Sequence, residues 1–170
     1  MDELEHLEQE HREVERMIAQ LKESAEGEGR TKILEELRSS LSTHMAVEER
    51  FIYPLVEKVA DEEEREGGEN EHDLIRDSLR TLFEMKDEPG FNAALDMFEA
   101  GLSHHVEDEE SEMFPELREK VADKIAEMDP DELEAAVKQD DDGPGGSAPT
   151  REELYEKAKE QDVAGRSTMT

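Results

Sequence analysis

The strongest constraint on this chain is a histidine and glutamate pattern that occurs twice in the same register. In each copy two histidines stand 33 residues apart, and a glutamate follows the second histidine by four positions. The two sets are His11, His44 and Glu48, and then His72, His105 and Glu109. An aromatic residue followed by proline comes five positions after each glutamate. This agreement predicts a duplicated structural unit that brings six polar side chains together.

Apolar residues recur in alternating steps of three and four through four long segments, which is the spacing of a buried helical face. The segments run from Leu4 to Ala25, Leu34 to Leu55, His72 to Leu82 and Leu95 to Leu117. Turn residues near Gly27 and Pro89 and a polar link over 61–68 separate them. The pattern predicts an all-α fold, an antiparallel up-down-up-down four-helix bundle built from a duplicated helical hairpin. A short C-terminal helix and a flexible tail follow it.

The recurring histidines and glutamates fall on the apolar faces of these helices, where leucine is the usual residue. His11 and His44 are equally distant in sequence from the loop between their helices, so they lie at the same height in an antiparallel hairpin. The same holds for His72 and His105. Each glutamate follows its histidine by about one helical turn and therefore shares its face. The sequence predicts one polar layer that crosses the apolar core.

Buried imidazoles and carboxylates without partners destabilise a fold by roughly several kcal/mol each, so this layer requires a compensating charge. Nitrogen and oxygen ligands suit iron, manganese or zinc, and dinuclear carboxylate sites are built in bundle cores. Six ligands divide between two ions as one histidine pair for each ion, with Glu48 and Glu109 as bridges. The alternative is a metal-free bundle whose polar core residues satisfy one another, which is a demanding arrangement.

Residues 1–126 resemble the hemerythrin-like (HHE cation-binding) family through His11, the His44-x-x-x-Glu48 motif and their second copies. The resemblance implies a non-haem di-iron site with two iron ions and a bridging oxo or hydroxo group, with manganese or zinc possible. It implies histidines as terminal ligands and glutamates as bridges. It also implies that dioxygen, nitric oxide or peroxide binds or reacts there. Alternatives are an iron- or oxygen-responsive regulator and a peroxide-decomposing (catalase-like) or nitric oxide-reactive enzyme.

The sequence departs from the oxygen-carrying hemerythrins at two ligand positions. Arg76 stands where those proteins have a fifth histidine, and Glu109 replaces an aspartate that lies one residue later. Such a ligand set favours peroxide or nitric oxide chemistry over reversible oxygen storage. Glu15 is the duplicate counterpart of Arg76 and lies one turn from His11. Two roles are open for Glu15: a further metal ligand, or an ion pair with Arg76.

The sequence also predicts positions or roles for several residues near the pattern. His6 and His104 are expected on the surface. Two roles are open for Tyr53: packing where proline bends its helix, or a redox role, although the other copy has Phe114 at this position. Four further glutamates recur in both copies and either hydrogen-bond the outer histidine nitrogens or lie on solvated faces. They are Glu10, Glu49, Glu71 and Glu110.

Composition limits the classes of partner. A net charge of -30 argues against nucleic acid and anionic membranes, because the surface repels phosphate. The absence of cysteine excludes thiolate ligands. The acidic start and the lack of an apolar run of about 20 residues predict a cytoplasmic protein.

Beyond the bundle, 127–139 is predicted to form a short helix that starts near Asp129. Residues 140–170 are predicted to form a flexible linker and tail with a short helix from Thr150. This tail is weakly similar to the first part of Rho N-terminal or SAP-like modules but lacks their second helix. A redox or protein partner that contacts the tail is therefore a further expectation.

Overall fold

The computed structural model describes residues 1–141, and the predictions for the rest of the tail lie outside this range. The described residues form helices without any strand, which confirms the all-α class. The elements are α1 (Glu3–Glu23), α2 (Glu28–Val47), a π-helical turn π1 (Glu48–Ile52), α3 (Tyr53–Val59), α4 (Glu62–Met85), α5 (Phe91–Asp108), a second π-helical turn π2 (Glu109–Met113), α6 (Phe114–Lys120), α7 (Ala122–Ala126) and α8 (Pro130–Asp141). None of these helices is both long enough and apolar enough to cross a membrane.

Residues Met1–Val137 form one compact unit of the chain. In this unit, α1 contacts α2 and α5, and α4 contacts the same two helices. The α1 helix and the segment from α5 to α6 run in opposite directions. Lys22 near the end of α1 binds Glu99 in α5, whereas Glu8 near the start of α1 binds Arg118 in α6. The resulting bundle encloses one long core.

Acidic side chains cap the helices that begin each half. Asp2 accepts a hydrogen bond from the Glu5 backbone, and the Glu5 side chain accepts one from the Asp2 backbone, which completes a capping box. Asp61 caps α4 by accepting a bond of 2.9 Å from the Glu64 backbone. The predicted polar link over 61–68 is therefore wrong, because this cap starts the helix before its two glycines.

The apolar core consists of two clusters with the polar layer between them. The cluster nearer the hairpin loops includes Val14, Ile18, Leu34, Leu41, Leu82 and Leu95. The cluster at the opposite end includes Leu4, Leu7, Ile52, Phe114, Leu117 and Ile125. Along α1, Leu7 belongs to one cluster and Val14 to the other, and His11 lies between them. The stretches from α2 to α3 and from α5 to α6 cross the layer in the same way, whereas the described buried apolar residues of α4 belong to the first cluster.

The two π-helical turns begin at the recurring glutamates and have a common cause in the prolines that follow. Pro54 and Pro115 each occupy the second position of the next α-helix. Proline lacks a backbone donor, and its ring collides with the carbonyl group four residues earlier. A wider turn relieves this collision, and the Tyr53 N–H accordingly donates to the Glu48 carbonyl five residues back. The predicted bend at proline is thus a change of helical register, which is frequent at functional sites.

Candidate metal centre

All six predicted side chains converge in the buried polar layer. None of them is more than 4 % exposed. They form two overlapping groups of four whose donor atoms lie within 4.8 Å of one another. The first group contains His11 and His44, the second contains His72 and His105, and both groups contain Glu48 and Glu109.

The two glutamates are shared because each directs one carboxylate oxygen to each group. Oε1 of Glu48 lies 3.2 Å from Nε2 of His44, and its Oε2 lies 3.0 Å from Nε2 of His72. Glu109 has the same arrangement, with its two oxygens 3.3 and 3.2 Å from Nε2 of the other two histidines. Within each group the two Nε2 atoms also face each other, at 3.1 Å in one and 3.2 Å in the other. Every inner donor atom therefore points into one of two small volumes.

The outer nitrogen of each histidine is held by one of the four further glutamates, which confirms one of the two roles expected for them. The Nδ1 pairs are His11 with Glu110 at 2.8 Å, His44 with Glu10 at 2.8 Å, His72 with Glu49 at 2.9 Å, and His105 with Glu71 at 2.8 Å. A carboxylate at this distance accepts a hydrogen bond from the Nδ1–H group. The Nε2 lone pair is then directed inward. The imidazoles are thus fixed in the tautomer that a metal ion requires.

Three of the four inner carboxylate oxygens lack a hydrogen-bond partner among the described residues, and a bound cation would take the place of one. Both oxygens of Glu48 and Oε2 of Glu109 are buried without a hydrogen bond from any described residue. Their contacts with Nε2 atoms are close but lack the alignment of a hydrogen bond. Buried carboxylates left in this state are strongly destabilising, whereas two nitrogen and two oxygen donors suit a divalent transition metal. The residues present therefore fit two ions.

The charged groups of the layer strongly shift one another's pKa. The pKa of Glu48 is lowered, whereas the pKa of Glu109 is raised. Burial disfavours the charged form of His72, but contacts with Glu48 and Glu49 outweigh it and raise its pKa to about 9. Burial likewise opposes the charge of Glu48, yet His44 and His72 hold its pKa well below the usual range. Burial and the Glu48 charge raise the pKa of Glu109. Protons and metal ions consequently compete for the same nitrogen atoms.

Tyr53 is a site residue whose place in the layer the sequence did not predict. Its buried hydroxyl lies 2.9 Å from Nε2 of His72 and donates to Oε1 of Glu109 at 3.2 Å. Burial and the charges of Glu48 and Glu109 raise the pKa of Tyr53, so the phenol keeps its proton. The matching residue in the other copy is Phe114, whose ring stacks on His11 without offering a hydroxyl. The two halves of the layer are therefore chemically unequal.

The aromatic-proline pairs were the only sequence signal for this role, and they did not predict the direction of the ring. The π turn rotates Tyr53 inward by shifting the helical register. Space for the ring comes from Gly68, where an added Cβ would lie only 2.8 Å from Cζ of Tyr53. Close approach of an aromatic ring thus explains why a glycine stands in the interior of α4.

The structure shows Glu15 in neither of its two expected roles, although Glu15 lines the cavity beside His11 and His44, so its role as a ligand stays a prediction. Its side chain is half-exposed and binds Arg12 at 2.9 Å, because that guanidinium lies one turn away on the same surface of α1. It belongs to neither group of donors. Arg76 instead binds Glu49 at 2.7 Å and Asp73 at 3.2 Å. The residue that replaces a fifth histidine therefore supports an outer carboxylate.

The two remaining histidines differ from each other. His104 is exposed beside Asp108, as predicted. His6 is not a free surface residue, because its Nε2 lies 3.0 Å from Oε1 of Glu134 in α8. The sequence could not place α8 against α1, so this contact was not predictable.

A cavity of about 30 Å³ adjoins three of the inner histidines, His11, His44 and His105. Its other walls are mainly apolar side chains such as Ile18 and Val106. This volume is enough for one water-sized molecule. The cavity contacts both histidines of the first group and only one of the second, so it opens on the half of the layer that lacks the tyrosine hydroxyl.

Comparison with known protein families agrees with this geometry. The profile of the hemerythrin HHE cation-binding domain matches residues 2–117, a segment that includes both groups of donors and ends before α7 and α8. Searches of curated proteins and of solved structures gave no significant match. The weak similarity of the tail to Rho N-terminal or SAP-like modules is not supported. A buried cluster of histidines and glutamates inside a domain of this kind is a metal-binding site. The chain belongs to the hemerythrin HHE cation-binding domain family.

Proposed function

We propose that this protein is a non-haem di-iron protein that binds or reacts with dioxygen, nitric oxide or peroxide. The observation that supports this most directly is the pair of shared carboxylates. Glu48 and Glu109 each offer one oxygen to each histidine pair, as a dinuclear centre requires. A single ion would leave one histidine pair and two carboxylate oxygens without a partner.

In this proposal His11 and His44 would hold one ion, and His72 and His105 would hold the other. Glu48 and Glu109 would each offer one carboxylate oxygen to both ions. Iron is the metal that the family resemblance implies, and when bound it would supply electrons one at a time to a small oxidant. Manganese or zinc would fit the same donors.

The protein's own groups would orient the ligands and control access. The outer carboxylates hold the imidazole rings by their Nδ1 protons, so each Nε2 is in position before a metal arrives. The cavity beside His11 and His44 is small and its other walls are mainly apolar, which favours a small uncharged molecule over anions or larger substrates. Tyr53 keeps a proton on its hydroxyl at the edge of the second group.

The test is an optical titration of protein loaded with iron under argon and then exposed to air, nitric oxide or peroxide in separate samples. We expect new visible charge-transfer absorption at about two iron ions per chain, and its loss in His44→Ala. His104→Ala is the matched control, because this exposed histidine belongs to neither inner group.

Iron binding without any spectral response to the three oxidants would contradict the proposal. So would a response that survives in His44→Ala. Oxygen evolved from peroxide in the same samples would identify peroxide decomposition as the reaction, whereas binding alone would release none.

A further inference from the structure

A second set of metal-type side chains lies outside the HHE centre, where α8 contacts α1. Nε2 of His6 lies 3.0 Å from Oε1 of Glu134 and 3.8 Å from Oε1 of Glu10. One donor atom from each of the three residues falls within 4.8 Å of the others. Their side chains are 15 to 25 % exposed, so a bound ion would be partly shielded from solvent.

An unpartnered carboxylate faces the same place. Glu3 is 1 % exposed, and its Oε2 has no hydrogen-bond partner among the described residues. Glu3, His6 and Glu10 follow one another in steps of three and four, so they share one face of α1. Burial raises the pKa of Glu3 to about 7, with His6 opposing the shift and Glu10 and Glu134 adding to it. Three carboxylates and one imidazole thus lie close enough to influence one another's charge.

We propose that His6, Glu10 and Glu134, with Glu3 behind them, bind one divalent transition-metal ion of the zinc or manganese type. One nitrogen and several carboxylate oxygens are ligands that both ions accept. The ion would join α8 to α1. Glu134 lies beyond the segment that matches the HHE family, so this site is separate from the family's own centre.

Glu10 connects the two sites. Its Oε2 holds Nδ1 of His44 at 2.8 Å, while its Oε1 faces His6. A test that changed Glu10 would disturb both sites at once. His6 and Glu134 are the informative positions, because neither belongs to the donor groups of the HHE centre.

The experiment compares full-length wild type with His6→Gln and Glu134→Gln after equilibrium dialysis against Zn²⁺, with bound metal measured by mass spectrometry. We expect each variant to bind one ion per chain fewer than wild type. The control is His104→Gln. This histidine forms a similar group with Glu71 and Asp108, but it is 68 % exposed, so we expect the variant to lose no ion. The difference does not depend on how many ions the HHE centre holds, so failure of the di-iron proposal leaves it intact.

Equal metal content in wild type and both variants would overturn this inference and show that protons balance the cluster. An equal loss in all three variants, including His104→Gln, would also overturn it by indicating unspecific surface binding.

Discussion

Replacing Gly68 by alanine tests whether the Tyr53 ring packs against α4 with its hydroxyl in the polar layer. A Cβ on Gly68 would lie 2.8 Å from Cζ and 2.9 Å from the hydroxyl oxygen of Tyr53, which is too close for either atom to stay. The neighbouring Gly67 is exposed, and a Cβ there meets no atom within 4 Å. These adjacent glycines of one helix therefore provide a substitution with its own control.

The expected magnitudes follow from helix propensity and packing. Alanine is more favourable than glycine in a helix interior by about 1 kcal/mol, so Gly67→Ala should stabilise the protein by that amount. Gly68→Ala receives the same gain, but overpacking costs about 1 to 3 kcal/mol. Displacing the Tyr53 hydroxyl from Glu109 costs about 1.5 to 3 kcal/mol more. We expect Gly68→Ala to lower the free energy of unfolding by roughly 1.5 to 5 kcal/mol.

The assay is urea unfolding followed by circular dichroism, on metal-free protein so that ion binding does not contribute to stability. A second substitution, Tyr53→Leu, should reduce the penalty of Gly68→Ala, since the smaller side chain leaves room for the new methyl group. We expect a coupling energy above about 1 kcal/mol between the two positions. If both glycine variants stabilised the protein equally, the ring would not contact α4 and the account of Tyr53 would be wrong.

Three further predictions concern the layer itself. Tyr53→Phe should lower the free energy of unfolding of metal-free protein by about 1 to 3 kcal/mol, because Oε1 of Glu109 loses its buried donor. Urea unfolding measures this change, and an unchanged value would show that the hydroxyl is unpaired. The pKa of His72 is raised from 6.5 to about 9, so its stabilisation of metal-free protein is complete below pH 6.5 and is lost as pH rises through 9. Urea unfolding across this range should show the decline, and a rise in stability would contradict the sign. Glu71→Gln should weaken metal binding about 10- to 100-fold in competition with a chelator, because it loosens the Nδ1 hydrogen bond of His105; unchanged affinity would argue against this support.

The helices and the polar layer were predictable because both depend on regular spacing. The three- and four-residue steps in α1 and α5 identify the buried face, and the duplicated distances place His11 and His105 on it. Hairpin symmetry then brings the histidines to one height without any knowledge of loop geometry. The start of α4 was missed, since the Gly67 and Gly68 pair resembles a link until the Asp61 cap is seen.

The direction of individual side chains near the prolines was not predictable. Helical periodicity assumes one register, whereas the π-helical turns at Glu48 and Glu109 insert a local shift that propensities do not encode. Tyr53 enters the site through that shift. Contacts between distant segments, such as His6 with Glu134, depend on the path of the chain after the bundle. The position of the Glu15 side chain was not predictable either, because its carboxylate pairs with Arg12 on the same helix.

We infer that one buried layer binds two metal ions through two shared carboxylates. Anomalous diffraction from crystals of metal-loaded protein tests it most directly. We predict two peaks inside the bundle, each about 2.0 to 2.2 Å from Nε2 atoms and carboxylate oxygens if the metal is zinc. Glu48 and Glu109 should each contact both peaks. A single peak, or ions that bind only at surface carboxylates while the four Nε2 atoms stay uncoordinated, would contradict the account.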